Sequence, residues 1–206
     1  FVHMASPVAP HILARMRPSL IAKPCESVTG TAFQRGVGIG TFARFSAPSS
    51  VRPISDSKFV LIADRDNHQL RLLDTSSLQV TTVVRSGTAG GVDGMGTMAT
   101  LWAPHFIAVS SGNVFAVVSN AGSHCLRMVV LSTWSVSTLA GSSSGADGCV
   151  DGLGTLALFD TPAAMVLSSD DIYLFVADGS NDKIRRVAIL DGQVITFISE
   201  QDSVPQ

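Results

Sequence analysis

Three blocks of this chain recur in phase, and no other feature constrains its fold as tightly. GVGIGTFARFSAP ends at Pro48, GVDGMGTMATLWAP ends at Pro104, and CVDGLGTLALFDTP ends at Pro162. These prolines stand 56 and then 58 residues apart. IADRDNHQLRLLD (62–74), VSNAGSHCLRMVV (118–130) and VADGSNDKIRRVA (176–188) keep that spacing, as do VTTVV from Val80, VSTLA from Val136 and VITFI from Val194. A period held by independent blocks marks stacked structural units.

Each unit predicts four strands, read as runs of Val, Ile, Leu and Phe bounded by Gly, Ser, Asn and Asp. In the second unit they fall at 105–110, 113–118, 125–131 and 136–140. In the third they fall at 163–167, 171–177, 183–189 and 193–199. Of the sixteen acidic residues only Glu26 and Glu200 are Glu, and 18 Gly and 9 Pro accompany the Asp. That balance favours turns over helices. Consecutive apolar residues at 59–63, 114–118 and 174–177 predict strands covered on both faces. A repeated four-stranded unit of this length is a β-propeller blade. The fold class predicted is therefore all-β, with three four-stranded antiparallel blades at about 37–92, 93–150 and 151–199. Propellers close with about 4–8 blades. Three blades predict part of a larger propeller, or one completed by another chain or by self-association.

The residues that carry the period resemble the NHL-repeat β-propeller family. ADRDNHQLR (63–71), ADGSNDKIR (177–185) and the DGxG elements at Asp93 and Asp151 carry the resemblance, which spans about 37–199 and looks like the extended-blade variant. The second unit departs from it with Ser119-Asn120 in place of Ala-Asp, and the first with Val37-Gly38 in place of Asp-Gly. The resemblance implies a propeller; it leaves function open among protein binding, RNA binding and catalysis.

Segment 1–36 is expected to be irregular, as part of a preceding blade or as a targeting leader. Residues 1–55 hold six Arg or Lys and one acid, whereas 56–206 hold eight and fifteen. The first 25 residues carry Arg15, Arg17 and Lys23 with no acid, a balance shared with transit segments. Cys25, Cys125 and Cys149 form no disulfide framework and no CxxC pair. They favour a reducing compartment, cytoplasmic or organellar. No charge-free stretch is long enough to span a membrane without Pro, Gly or Asn breaking it.

Two groups of residues are candidates for chemistry. In the polar loop, Asp64, Asn120 and Asp178 align, as do Asn67, Ser123 and Asn181, and His68, His124 and Asp182. By residue type, His68, His124 and Asp182 could bind zinc or calcium. The expectation here is structural: Asp and Asn satisfy turn backbone and pair with Arg71, Arg127 and Arg185. In the Gly-rich connections, Asp93 and Asp151 are expected to form turns, bonding their own loops. No GxSxG element or Walker lysine is present, and no cofactor is expected. The function expected is a non-catalytic scaffold that binds a protein partner through its loop face. One alternative is a metal-dependent lyase or hydrolase using His68, His124 and acidic loop residues. The other is RNA binding through Arg15, Arg17, Lys23, Arg35 and Arg44.

Overall fold

The computed structural model describes residues 38–39, 43–85, 88–142 and 144–198. Expectations for Arg15, Arg17, Lys23, Arg35 and the rest of 1–36 lie outside them, as does Val37. The regular elements described are strands and single-turn 3-10 helices.

The strands form three antiparallel sheets. The first holds β1 (Gly38–Ile39), β2 (Pro48–Ile54), β3 (Phe59–Asp64), β4 (Gln69–Asp74) and β5 (Gln79–Val84), in the order β1-β5-β4-β3-β2. The second repeats this with β6 (Gly94–Met95), β7 (Pro104–Val109), β8 (Phe115–Asn120), β9 (Cys125–Val130) and β10 (Ser135–Gly141). The third has β11 (Gly152–Leu153), β12 (Pro162–Leu167), β13 (Tyr173–Asp178), β14 (Lys183–Ala188) and β15 (Gln193–Ile198).

Each sheet thus has a fifth, two-residue strand beyond the expected four. The DGxG element ahead of each unit pairs with that unit's last strand: Gly94 lies opposite Val136, and Gly152 opposite Val194. The segment that opens the unit therefore clips onto its outer edge, where an unpaired strand would otherwise stand exposed. Gly fits because a Cβ on Gly94 would lie 3.0 Å from the Met98 carbonyl carbon.

Two apolar cores lie between consecutive sheets. Leu61, Ala63, Leu70 and Val84 of the first sheet meet Ile107, Ala116, Val118 and Val129 of the second. Ala108, Val117, Leu126 and Ala140, from the other side of the second sheet, meet Met165, Leu174, Val176 and Val187 of the third. The connections also feed these cores. Ala99 and Leu101 plug the first, and Ala157 and Phe159 plug the second, all fully buried. That burial explains the recurring Ala-x-Leu/Phe ahead of the proline.

Burial along β8 and β13 separates the sheet covered on both faces from the third sheet, covered on one. β8 is buried at five successive positions, Ala116 to Asn120, because both its faces are packed. β13 alternates buried and half-buried residues. The apolar run 174–177 was expected to be covered on both faces; it is covered on one. Side chains alternate across a strand, so the uncovered half belongs to the third sheet's outer face.

Candidate functional site

The repeated Asp/Asn ends β3, β8 and β13 and pins the connection in front of β2, β7 and β12. Asp64 Oδ1 accepts the Ser46 N–H at 2.7 Å, Asn120 Oδ1 that of Trp102 at 2.6 Å, and Asp178 Oδ1 that of Asp160 at 2.8 Å. The other oxygen of each aspartate faces a buried arginine. Arg71 Nη1 donates to Asp64 Oδ2 at 3.2 Å, and Arg185 Nη1 to Asp178 Oδ2 at 2.7 Å, every partner buried. Asn67 and Asn181 each donate to the same oxygens at 2.9 Å. Burial lowers the Arg71 pKa from its ordinary value, and the charge and hydrogen bond of Asp64 oppose the shift.

Asp93 and Asp151 act differently from expectation. Rather than bonding their own loops, they reach the arginines: Arg127 Nη2 donates to Asp93 Oδ1 and Arg185 Nη2 to Asp151 Oδ1, each at 2.7 Å. Thr138 and Thr196 from the last strands donate to the same oxygens at 3.1 and 3.0 Å. The guanidinium also binds loop carbonyls, Arg127 those of Gly91 and Val92, Arg185 those of Leu158 and Val150. Each of these arginines fastens a Gly-rich connection to the middle of its sheet. For Asp151, burial pushes the pKa up, but hydrogen bonds from Thr196 and Arg185 outweigh it and hold the carboxyl below its ordinary value.

The second unit shows how the sequence departure is absorbed. Asn120 is neutral, and Arg127 takes its carboxylate from Asp93. The spare amide of Asn120 donates to Gly90 O at 3.2 Å. Asn181 makes the matching bond in the third unit, to Gly148 O at 2.8 Å.

The metal candidates do not converge. His68, His124 and Asp182 follow the 3-10 turns of three different sheets, each in the left-handed region with φ of 57°, 51° and 52°. The described residues contain no group of three His, Cys, Asp or Glu able to hold a metal ion. The two histidines contact the next sheet instead. His68 Nδ1 accepts the Ala103 N–H and His124 Nδ1 the Thr161 N–H, both at 3.1 Å. His124 Nδ1 also lies 3.3 Å from Asp160 Oδ1. Asp160 Oδ1 in turn takes the Thr161 hydroxyl at 2.9 Å.

A cleft of about 420 Å³ opens where the ends of β2, β7 and β12 meet, lined by Arg52, Ala108, Ser111, Met165, Ser168 and Asp171 among others. Arg52 and Asp171 in its lining already have partners. Arg52 Nε donates to Ile107 O at 3.0 Å, and Asp171 Oδ2 accepts from Ser111 N and Oγ at 2.8 and 2.7 Å. No helix among the described residues is long and apolar enough to cross a membrane.

A second site was missed in the sequence. Val92, Met95 and Met98 stand exposed on the connection ahead of the second sheet, and Val150, Leu153 and Leu156 stand exposed at the matching positions ahead of the third. Met98 and Leu156 are each 74% exposed. The signal was available as apolar residues recurring in phase. It was hidden among Ala99, Leu101, Ala157 and Phe159, which recur equally and are buried.

No family model matches the sequence, and no curated protein matches it. Solved structures do. An auxiliary nutrient binding protein from Bacteroides thetaiotaomicron VPI-5482 superposes with a TM-score of 0.58 at 21% identity, over 71% of this chain and 36% of that one. Virginiamycin B lyase from Staphylococcus aureus gives 0.51 at 12% identity, over 75% and 42%. The WD40 repeats of RRP9 give 0.52 at 11% identity, over 78% and 41%. The likeness is one of fold. Three packed antiparallel sheets in a blade-like arrangement are shared, and the chain spans between about a third and half of the length of these structures.

Proposed function

We propose that this chain is a propeller scaffold of NHL-like type that binds a protein partner through its inter-blade connections. In this proposal the blades run over about 37–92, 93–150 and 151–199, with 1–36 as a separate segment. One observation carries the proposal: the exposed apolar triplets Val92/Met95/Met98 and Val150/Leu153/Leu156 recur on successive units. Isolated exposed apolar residues are ordinary, but an organised cluster marks an interaction surface. Met in particular adapts to a partner's shape. The rest of each connection is immobilised by Arg127 or Arg185, so the triplets sit on a rigid base and little ordering entropy opposes binding. The partner surface this fits is elongated and apolar.

A photo-crosslinking side chain placed at Met98 or Leu156 tests this in the native source. Both positions are expected to trap the same protein, and unlabelled chain should compete while the Met98→Ser/Leu156→Ser variant should not. Different products from the two positions, or none, would refute it. The lyase or hydrolase alternative has no observation in its favour: His68 and His124 already accept backbone N–H groups. Of the residues invoked for RNA binding, Arg44 alone is described, exposed beside Phe45.

A further inference from the structure

We infer that two copies of this chain join head to tail, the outer face of the third sheet in one copy packing on the outer face of the first sheet in the other, to close a six-blade ring. The inference rests on the propeller reading above and identifies a partner for surfaces that reading leaves open.

Both packed interfaces carry the same pair of latches. Between the first and second sheets, His68 Nδ1 accepts the Ala103 N–H at 3.1 Å, and Asn113 Oδ1 accepts the Ser55 N–H at 3.3 Å. Between the second and third, His124 Nδ1 accepts the Thr161 N–H at 3.1 Å, and Asp171 Oδ2 accepts the Ser111 N–H at 2.8 Å. The period maps these groups onto the two free ends. On the third sheet, Asp182 holds the histidine position and Ser169 the serine position. On the first, Ala47 holds the position of Ala103 and Thr161, and Ser57 that of Asn113 and Asp171. The backbone agrees: φ is 45° at Ala47 against 48° and 54°, and 66° at Ser57 against 55° and 58°. Ala47, Ser57, Ser169 and Asp182 are all exposed.

The two ends are complementary in polarity. The third sheet offers a carboxylate where the first offers an N–H, and an N–H where the first offers a hydroxyl oxygen. An aspartate accepts an N–H as the imidazole Nδ1 does.

The apolar surface between the latches matches too. Val166 is 61% exposed, whereas Ala108 at its position in the second sheet is 6% exposed; Ile198 is 51% exposed against 0% for Ala140. On the first sheet, Val51 is 56% exposed against 0% for Ile107, and Phe45 is exposed where Leu101 and Phe159 are buried. These are core positions of an interface that occurs twice already in this fold. A copy of the chain is the occupant because its own ends carry both halves of that interface. The three sheets described make six in two copies, inside the range of about 4–8 in which propellers close. A closed ring satisfies every end.

Sedimentation of the full chain tests this, with an expected mass twice the 21.5 kDa of one chain. Val166→Asp and Val51→Asp each bury a charge in the proposed contact and should weaken self-association roughly 100-fold. Both positions are exposed in the single chain, so the circular dichroism should not change. Mixing the two variants should restore a two-chain complex, because each retains the end the other lacks. Asp182→His, which copies the other two latches, should keep the dimer. A single-chain mass, a mass of three or more chains, a dimer indifferent to both substitutions, or no recovery on mixing would each overturn the inference. None of these outcomes touches crosslinking at Met98 and Leu156, so the two proposals fail separately.

Discussion

Asp178→Ala removes a fully buried carboxylate from a site with three donors. Asp160 N–H loses a 2.8 Å bond, Asn181 a 2.9 Å bond, and Arg185 its 2.7 Å ion pair. Removing one partner of a buried ion pair costs about 3–5 kcal/mol when the survivor is left uncompensated. Arg185 is not fully abandoned, since Asp151 stays at 2.7 Å and the carbonyls of Leu158 and Val150 remain. Asn181 likewise keeps Gly148 O. The Asp160 N–H has no such replacement and adds about 1 kcal/mol. A cost of about 3 kcal/mol follows, with about 2 and 4 as bounds. In a chain of this size that lowers Tm by roughly 6–12 °C. The internal control is Asn120→Ala. Arg127 does not use Asn120, so no buried charge is disturbed, and about 1–2 kcal/mol is expected. Urea denaturation of both variants, read by fluorescence and circular dichroism with matched m values, decides it. A cost below 1 kcal/mol at Asp178, or a larger cost at Asn120, would refute the assignment of Asp178 as the buried partner of Arg185.

Stability should be flat at neutral pH and fall in acid. The hydroxyl of Ser76 and the N–H groups of Ser76 and Ser77 hold the Asp74 pKa down at about 2, and that of Asp151 is lowered as well. A carboxylate whose folded pKa lies below its unfolded value of about 3.9 contributes fully above that value and is lost as pH falls through the folded one. Tm measured from pH 5 down to pH 2 should therefore decline, and less steeply in Asp74→Asn and Asp151→Asn. His124→Ala should cost about 1 kcal/mol by removing the acceptor for Thr161 N–H; His124→Asn keeps an acceptor on a residue that tolerates the left-handed region and should recover most of it in the same denaturation assay. Gly192 has φ +74°, and a Cβ there would clash with Leu139 O across the sheet interface. Gly192→Ala should cost more than about 2 kcal/mol, with calorimetry as the measure, although Leu78 and Trp134 occupy the matching turns at φ 60° and 58°.

The strands could be read in the sequence because each is a local pattern confirmed by two other copies. Expected and observed strand ends in the second and third units agree to within two residues. The short fifth strands were not legible: Gly94–Met95 and Gly152–Leu153 carry no alternation and are strands only because β10 and β15 lie beside them. The aspartate roles were half legible. Asp64 and Asp178 stand seven residues before their arginines, within one hairpin. Asp93 and Asp151 stand 34 residues before theirs, a separation at which nothing local reports contact. The histidines' contacts were not legible for the same reason: their partners, 35 and 37 residues ahead, are backbone N–H groups on the next sheet.

Position within a repeat therefore separates two kinds of residue that composition confounds. The arginine that serves its own sheet is buried in every unit, as Arg71, Arg127 and Arg185 are. Several groups at the junction between sheets are covered where a neighbour exists and exposed at the ends, although Ile62 and Val80 on the first sheet's outer face are covered already, at 6% and 3% exposure. His68 and His124 are half-buried and Asp182 is exposed; Ala108 is buried and Val166 is exposed; Leu101 and Phe159 are buried and Phe45 is exposed. Met98 and Leu156 obey neither pattern. Both are equally exposed although one precedes a sheet packed on both sides and the other a sheet packed on one. Completing the ring would therefore leave them in solvent, so their apolar character is explained neither by the blade nor by the junction. The proposed surface for a different protein would account for it, and that is why oligomeric state and partner capture must be measured on separate variants.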